Sequence, residues 1–536
     1  MSTSLDQVLA YHERTKHHFQ RYAAGPGGLD WATQPDPFRT FSGSPQLALP
    51  LLAPESLPAR YVELYQPRRA PSRPLNIAGV SALLELALGL SAWKQYGDNR
   101  WALRCNPSSG NLHPTEAYVV VQGCNGIADG VHHYVSRDHV LEQRCAFQPG
   151  ARLLPADTFL LGLSSIHWRE AWKYGERAYR YCQHDAGHAI AAARYAAAVL
   201  GWRAHALVDW SDDAIAALLG LDRAADFESS EHEAPDVVLL ITTQATPDTP
   251  APAPLLSAAS QWMGKANPLS PHHAHGWPVI EEASHACSKP ETTSTPWHAP
   301  VQPQPQPSPC QATAVALIKQ RRSAQEFDGV TTLSAAAFYR MLDMTLPRAD
   351  VPPWDAIHWR PRIHLALFVH RVEGLAPGIY IQPRHGDIEA RMRAELSDEF
   401  QWERAEACPA HLPLFRVASA DARHAAKVLS CHQDIAADGA FSLGMLAEYE
   451  STVTNAPWRY RQLFWEAGML GHVLYLEAEA AGMRGTGIGC YFDDAVHEVL
   501  GIKARWLQSV YHFTVGGALT DERLQTLPPY AHLRDR

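Results

Sequence analysis

Apolar residues cluster along this chain in two recurring patterns. AYVVVQ (Ala117 to Gln122) and HLALFVH (His364 to His370) are short β-branched or aromatic runs bounded by turn residues, which predicts strands. DVVLLITT (from Asp236) and HFTVGG (from His512) are continuous apolar runs, the pattern of strands covered on both faces. Two long Ala-rich stretches, Tyr179 to Gly201 and Tyr460 to Gly482, carry apolar residues all round and end on Gly. They predict buried helices closed by a C-terminal glycine.

These patterns occur twice. YRYCQHDAGHAIAAARYAAAVLG lies over YRQLFWEAGMLGHVLYLEAEAAG without a gap, both carrying Tyr-Arg, an acid-Ala-Gly triplet and the closing Gly. DDAIAALLGL (from Asp212) matches DDAVHEVLGI (from Asp493) at the same spacing, and NGIADGVHHY (from Asn125) matches EGLAPGIYIQ (from Glu373). Such self-similarity predicts a duplicated α+β domain whose halves pack as an internal copy of a two-fold dimer, with any shared site between them. Between the halves, alternating Pro and Gln (VQPQPQPSP) predicts an extended linker. The expected organisation is an N-terminal extension over 1–60, a first domain over 61–250, a linker over 251–310 and a second domain over 311–536.

The halves are most informative where they differ. The second opens with LIKQRRSAQEF, placing Arg321, Arg322 and Ser323 at a helix end, where forked guanidinium donors and a hydroxyl suit a phosphate. The first keeps Arg68 and Arg69, but flanking prolines break its helix. After its long helix the second half reads MRGTGIG, with Gly485, Gly487 and Gly489 alternating around Ile488, which would let a flat ring approach the backbone. The first half has Ala204, Ala206 and Val208 there. Only the first half carries PSSGN, with Pro107, Ser108, Ser109 and Asn111, and a Lys173-Tyr174 pair suited to proton transfer. The complementary losses imply one composite site at the interface.

Composition narrows the function. The chain has 536 residues, 46% hydrophobic and 19% charged, enough for two large cores. A net charge of −10 and the lack of a basic stripe argue against nucleic acid. The polar N-terminal segment and the absence of a long apolar span lead us to expect a cytoplasmic protein off the membrane. Nine Cys without CxxC spacing predict reduced thiols. His184 and His188 stand four apart on a helix but lack the acid of a zinc motif, so no metal is expected.

The Arg-Arg-Ser end, the PSSGN loop and the glycine-rich turn together resemble the FMN-dependent nitroreductase superfamily. NPSSGNLHPTEAYVVV, NGIADGVHHYVSRDHVLE and WKYGERAYRYCQHDAGHA are similar to its SagB-type branch of azoline-oxidising dehydrogenases. The resemblance implies two nitroreductase-like α/β sandwich domains in tandem with FMN as cofactor. Arg321, Arg322 and Ser323 would hold the phosphate and ribityl chain, while Pro107, Ser108, Ser109 and Asn111 would cover the ring. Gly485 to Gly489 would line the ring edge, and Arg523 would assist with phosphate. Lys173 and Tyr174 would be catalytic, acting on a small-molecule or peptide-derived substrate. An NAD(P)H-driven nitro or quinone reductase, and a scaffold with a decayed flavin site, are the other readings. A second FMN on the Arg68/Arg69 side and pairing of the whole chain stay open.

Overall fold

The structure is a computed structural model that describes residues 3–533 except 67–69, 151, 246, 247 and 294. Arg68 and Arg69 therefore lie outside the described residues. Helix α1 (Ser4–Arg14) is followed by β1 (Gln46–Ala48), a hairpin of β2 (Leu90–Tyr96) and β3 (Asn99–Arg104), and strands β4 (Thr115–Val121), β5 (Gly130–Val135), β6 (Val140–Phe147) and β7 (Thr158–Ser165). Helices α2 (His167–Tyr174) and α3 (Ala178–Val199) lead to β8 (Arg203–Ala206), β9 (Ala234–Thr242) and β10 (Ala259–Trp262). These strands form an antiparallel sheet in the order β10-β6-β5-β4-β7-β9-β8, with β1 also paired to β6.

The second half repeats this. From α4 (Ala314–Gln320) the chain runs through β11 (Ile363–Val369), β12 (Gly378–Gln382), β13 (Glu403–Arg404), β14 (Phe415–Ser419) and β15 (Phe441–Glu448). Helix α5 (Arg459–Ala480), β16 (Arg484–Ile488), β17 (Leu507–Gly516) and β18 (Gln525–Leu527) complete it. Its antiparallel sheet has the order β13-β14-β12-β11-β15-β17-β16. Six strands of each sheet thus follow one another in the same spatial and chain order, as a duplicated domain requires.

Helices α3 and α5 cross at the centre, almost wholly buried, with apolar side chains of both halves merged into one core. The crossing is tight because each acid-Ala-Gly triplet puts its glycine at the contact. A Cβ on Gly187 would overlap the Trp465 carbonyl, and one on Gly468 would overlap the His184 carbonyl. Reciprocal contacts of equivalent residues are the signature of a two-fold interface.

Both chain ends strap the halves together. Strand β18 joins β2 of the first half, where Trp93 Nε1 donates to the Pro529 carbonyl and the Leu90 amide donates to Tyr530 Oη at 2.8 Å. Near α1, the Lys16 ammonium sits 2.8 Å from Asp494, and Arg177 and Arg180 close on the buried Asp493. The stretch read as a linker, 251–310, is partly structured. Pro and Gln dominate only its later part; before that, β10 pairs with β6, Leu255 is buried, and a helix over Pro278–Ala286 buries Ile280 and Ala283. Among the described residues no helix is long and apolar enough to cross a membrane.

Candidate functional site

A cavity of about 770 Å³ opens between the halves and draws its wall from both. From the second half come Arg321, Arg322, Ser323, Gly487, Ile488 and Gly489, and from the first come Pro107, Ser108, Ser109, Asn111 and Tyr174. Strand β16 runs along the wall. Ser323 bridges to Gly485 at its start, and Gly489 lies just past its end, ~13 Å further on at ~3.3 Å per residue.

The Ser323 end is strongly cationic. Lys94, Arg321, Arg322 and Arg484 all line it. The Arg321 guanidinium donates to the carbonyls of Arg104 and Cys105, and Arg322 donates to the Ser91 carbonyl at 3.0 Å, so first-half backbone aims the second half's arginines. Burial, reinforced by Arg321, pushes Arg322 down to about 10. Lys94 is lowered by burial and by Arg322 and Arg484. Glu479 pairs with Arg484 and accepts the Arg322 amide, while the wall's Asp521 is held by Arg523. Four cations facing so little negative charge could hold an anion.

Opposite stands the PSSGN loop. Gly110 and Asn111 both have positive φ, 60° and 61°, which explains a Gly-Asn pair there. A Cβ on Gly110 would also lie 2.6 Å from Tyr174 Oη. The Ser108 hydroxyl accepts the His113 amide, and Asn111 Nδ2 donates to the Ala102 carbonyl. The loop rests on Asp185 of α3, which accepts from the Ser109 amide at 3.1 Å and from the Ser109 hydroxyl at 3.1 Å. Burial raises this carboxyl to about 7 despite those bonds.

The glycine run also has a packing role. Cβ atoms on Gly487 and Gly489 would overlap Tyr511 Oη and the Tyr181 ring, and one on Gly485 would meet the Phe513 ring at 2.7 Å. The glycines make room for the protein's own aromatic rings, and Tyr181 and Tyr511 in turn line the cavity. Gly485 itself is outside the wall. Tyr475 ties the cationic end together: its hydroxyl meets Ser323 Oγ at 2.8 Å and accepts the Gly487 amide at 2.9 Å.

Lys173 and Tyr174 separate. Tyr174 stands in the wall, packed on Tyr181 at 4.5 Å, with its phenol held well above the usual range by burial and by Glu170. Lys173 is not among the wall residues; its ammonium lies 5.3 Å from the Tyr174 ring centroid. Arg523 also falls outside: its side chain is 73% exposed and pairs with Asp521. Lys94 and Arg484 supply the further positive charge instead. Arg484 could have been found, since it directly precedes Gly485; Lys94, in the first-half stretch WKQY, carries no signal. His184 and His188 pack around Tyr511: the first ring donates to the Val510 carbonyl and stacks at 4.1 Å, and the second meets the hydroxyl at 3.2 Å.

The pseudo-symmetric positions on the long helices carry different partners. Where α5 carries Tyr475, α3 carries Arg194, locked onto Asp355 at 2.7 and 2.8 Å. Where Asp185 supports PSSGN, Glu466 accepts the amides of Arg362 and Ile363 and pairs with the buried Arg384, whose guanidinium lies over Trp354. His205 of β8 stacks on His358.

FMN fits the cavity by donor chemistry: clustered cations at one end for a phosphate, hydroxyl and amide groups along the strand, and aromatic rings beyond. The volume is that of a cofactor cleft. No protein-family model and no curated protein matches the sequence. Solved structures do resemble it. A protein from Anabaena variabilis, described provisionally as a nitroreductase, is 22% identical with a TM-score of 0.69, over 97% of this chain and 100% of that one. The microcin synthetase McbBCD complex of Escherichia coli, with truncated pro-MccB17 bound, is similar over 45% of this chain and 94% of its own, at 19% identity and TM-score 0.27. An FMN complex from Exiguobacterium sibiricum, also provisionally described as a nitroreductase, matches 40% of this chain and 92% of that one, at 13% identity and TM-score 0.22. Together with the repeated sheet order and the glycine-to-glycine helix crossing, the first of these likenesses settles the architecture: the chain has a nitroreductase-like α+β fold, present twice and packed as an internal pseudo-dimer.

Proposed function

We propose that the protein is an FMN-dependent oxidoreductase with one flavin held between its halves, acting on a small organic or peptide-derived heterocyclic substrate in the manner of SagB-type dehydrogenases. The observation that carries this reading is the composite cavity, in which Arg321, Arg322 and Ser323 of one half face Pro107, Ser108 and Ser109 of the other. When bound, FMN supplies hydride exchange at N5. The remaining work falls to the chain. Arg321, Arg322, Arg484 and Lys94 would hold the phosphate, and the PSSGN loop, braced by Asp185, would close over the ring. Tyr174, kept protonated by burial, would give or guide a proton at the substrate. Asn111 would act indirectly, since its amide is engaged by the Ala102 carbonyl of β3 and by His113. On this reading residues 61–250 and 311–536 are the two domains.

Lys173 lies outside the wall, which favours giving a second reading room: an NAD(P)H-driven nitro or quinone reductase, which needs no lysine base. The test is the absorbance spectrum and flavin content of the purified protein, followed by turnover. About one FMN per chain, with O2 consumed when a peptide thiazoline is added, supports the dehydrogenase. FMN with NADPH-dependent reduction of menadione alone supports the reductase. A protein that takes up no FMN overturns both.

A further inference from the structure

At the end of the cavity away from the arginines, two cysteines from distant parts of the chain face each other. Cys490 follows the glycine run, and Cys431 follows a helix over Arg423–Leu429; both are half-buried and both line the cavity. The two thiols share that wall and lie near enough for each to shift the other's ionisation. The two segments are tied by Gln433 Nε2, which donates to the Cys490 carbonyl at 3.2 Å.

A third group comes from the N-terminal segment. His17 Nδ1 accepts the Ala23 amide at 2.9 Å, so the neutral ring carries its proton on Nε2, and that side meets the Cys490 sulfur. Arg177, whose Nη2 donates to the Gly489 carbonyl, adds positive charge beside the same sulfur. Cys431 and His17 hold the Cys490 thiol below the usual range against burial. Cys431, facing Cys490, Tyr22, Arg177 and Asp493, is pushed up. Cys490 is thus the sulfur favoured as thiolate and Cys431 the one favoured as thiol, the division of labour of a reactive dithiol.

We infer that Cys490 and Cys431 form a redox-active pair at the cavity mouth that reacts with low-molecular-weight disulfides, Cys490 attacking and Cys431 resolving. The Cys490 thiolate would bond to one sulfur of R–S–S–R, breaking that bond and releasing one thiolate, which takes a proton from solvent. Cys431 would then lose its proton to solvent and attack the Cys490 sulfur, releasing the second thiolate. The protein dithiol is oxidised by two electrons and the small disulfide is reduced to two thiols. This chemistry does not depend on the flavin reading.

The test uses full-length protein, reduced, freed of reductant and mixed with oxidised glutathione, followed by peptide mapping. The wild type should yield a Cys431–Cys490 cross-link, Cys431→Ser should stop at a glutathione adduct on Cys490, and Cys490→Ser should give neither. Near pH 6, iodoacetamide should alkylate Cys490 at least several-fold faster than the half-buried Cys408, since a larger thiolate fraction outweighs its lower nucleophilicity. His17→Ala should slow that step. Absence of the cross-link in wild type, with Cys490 labelled no faster than the half-buried Cys408, overturns the inference, and neither measurement needs a variant to fold.

Discussion

Gly187 and Gly468 stand back to back at the crossing of α3 and α5, with the Cα of Gly187 3.0 Å from where a Cβ of Gly468 would lie. The contact is reciprocal, each glycine also closing on a backbone carbonyl of the other helix. Backbone cannot yield as a side-chain tip can, so Gly187→Ala and Gly468→Ala should each destabilise the protein by about 3 kcal/mol. Urea midpoints measure this. Similar losses at the two sites are expected from the pseudo-symmetry.

Arg322 tests the anion site separately from the fold. It is lowered by burial and by its neighbour Arg321, so removing its charge relieves repulsion in the ligand-free protein. Arg322→Gln should therefore leave ligand-free stability unchanged or slightly higher, yet weaken FMN binding ~10- to 100-fold, the worth of a charged hydrogen bond. Thermal melts and flavin fluorescence titration report the two effects.

Tyr174 and Lys173 should part company in kinetics. Tyr174→Phe removes a hydroxyl from the cavity wall and should lower turnover ~100-fold with little change in FMN affinity. Lys173→Ala, outside the wall, should have a clearly smaller effect. Single-turnover reaction with a peptide thiazoline compares them, and equal losses would show that the lysine reaches the substrate.

Asp185 predicts a pH signature. Burial raises its folded pKa to about 7, above the unfolded carboxylate value near ~4. As pH rises between the two, the unfolded chain loses a proton that the fold keeps, so stability falls, by up to ~4 kcal/mol over the window. Asp185→Asn should flatten that decline, matching wild type near pH 5 at best and exceeding it near pH 8. Denaturation midpoints across this range check the sign.

Much of this architecture was legible from one chain. The repeat of helix and strand text, with acid-Ala-Gly in both copies, announced a duplicated α+β fold, because a buried helix that crosses its own copy must carry small residues at the crossing. Arg321, Arg322 and Ser323 stood out because only that copy of the Arg-Arg pair ends an unbroken helix pattern and carries the Ser, and Pro107 to Asn111 because that motif appears in one half alone. The reason for the glycine run was not legible: it depends on Tyr511 and Tyr181 arriving from other elements. Lys94 was likewise invisible, as a lysine on an ordinary hairpin joins a cationic cavity wall only when the second half docks on it.

The sequence by itself therefore determined which elements form, that they form twice, and which copy kept which motif, since hydrophobic period and turn chemistry are local properties. Tertiary structure alone decided which side chains share the cavity. It set Tyr174 in the wall and Lys173 and Arg523 outside it, paired Arg194 with Asp355 and Arg384 with Glu466 at the pseudo-symmetric helix positions, and brought His17, Cys431 and Cys490 together from three distant stretches. Charge, burial and reach between remote residues are properties of packing, and packing is not written at any one place in the chain.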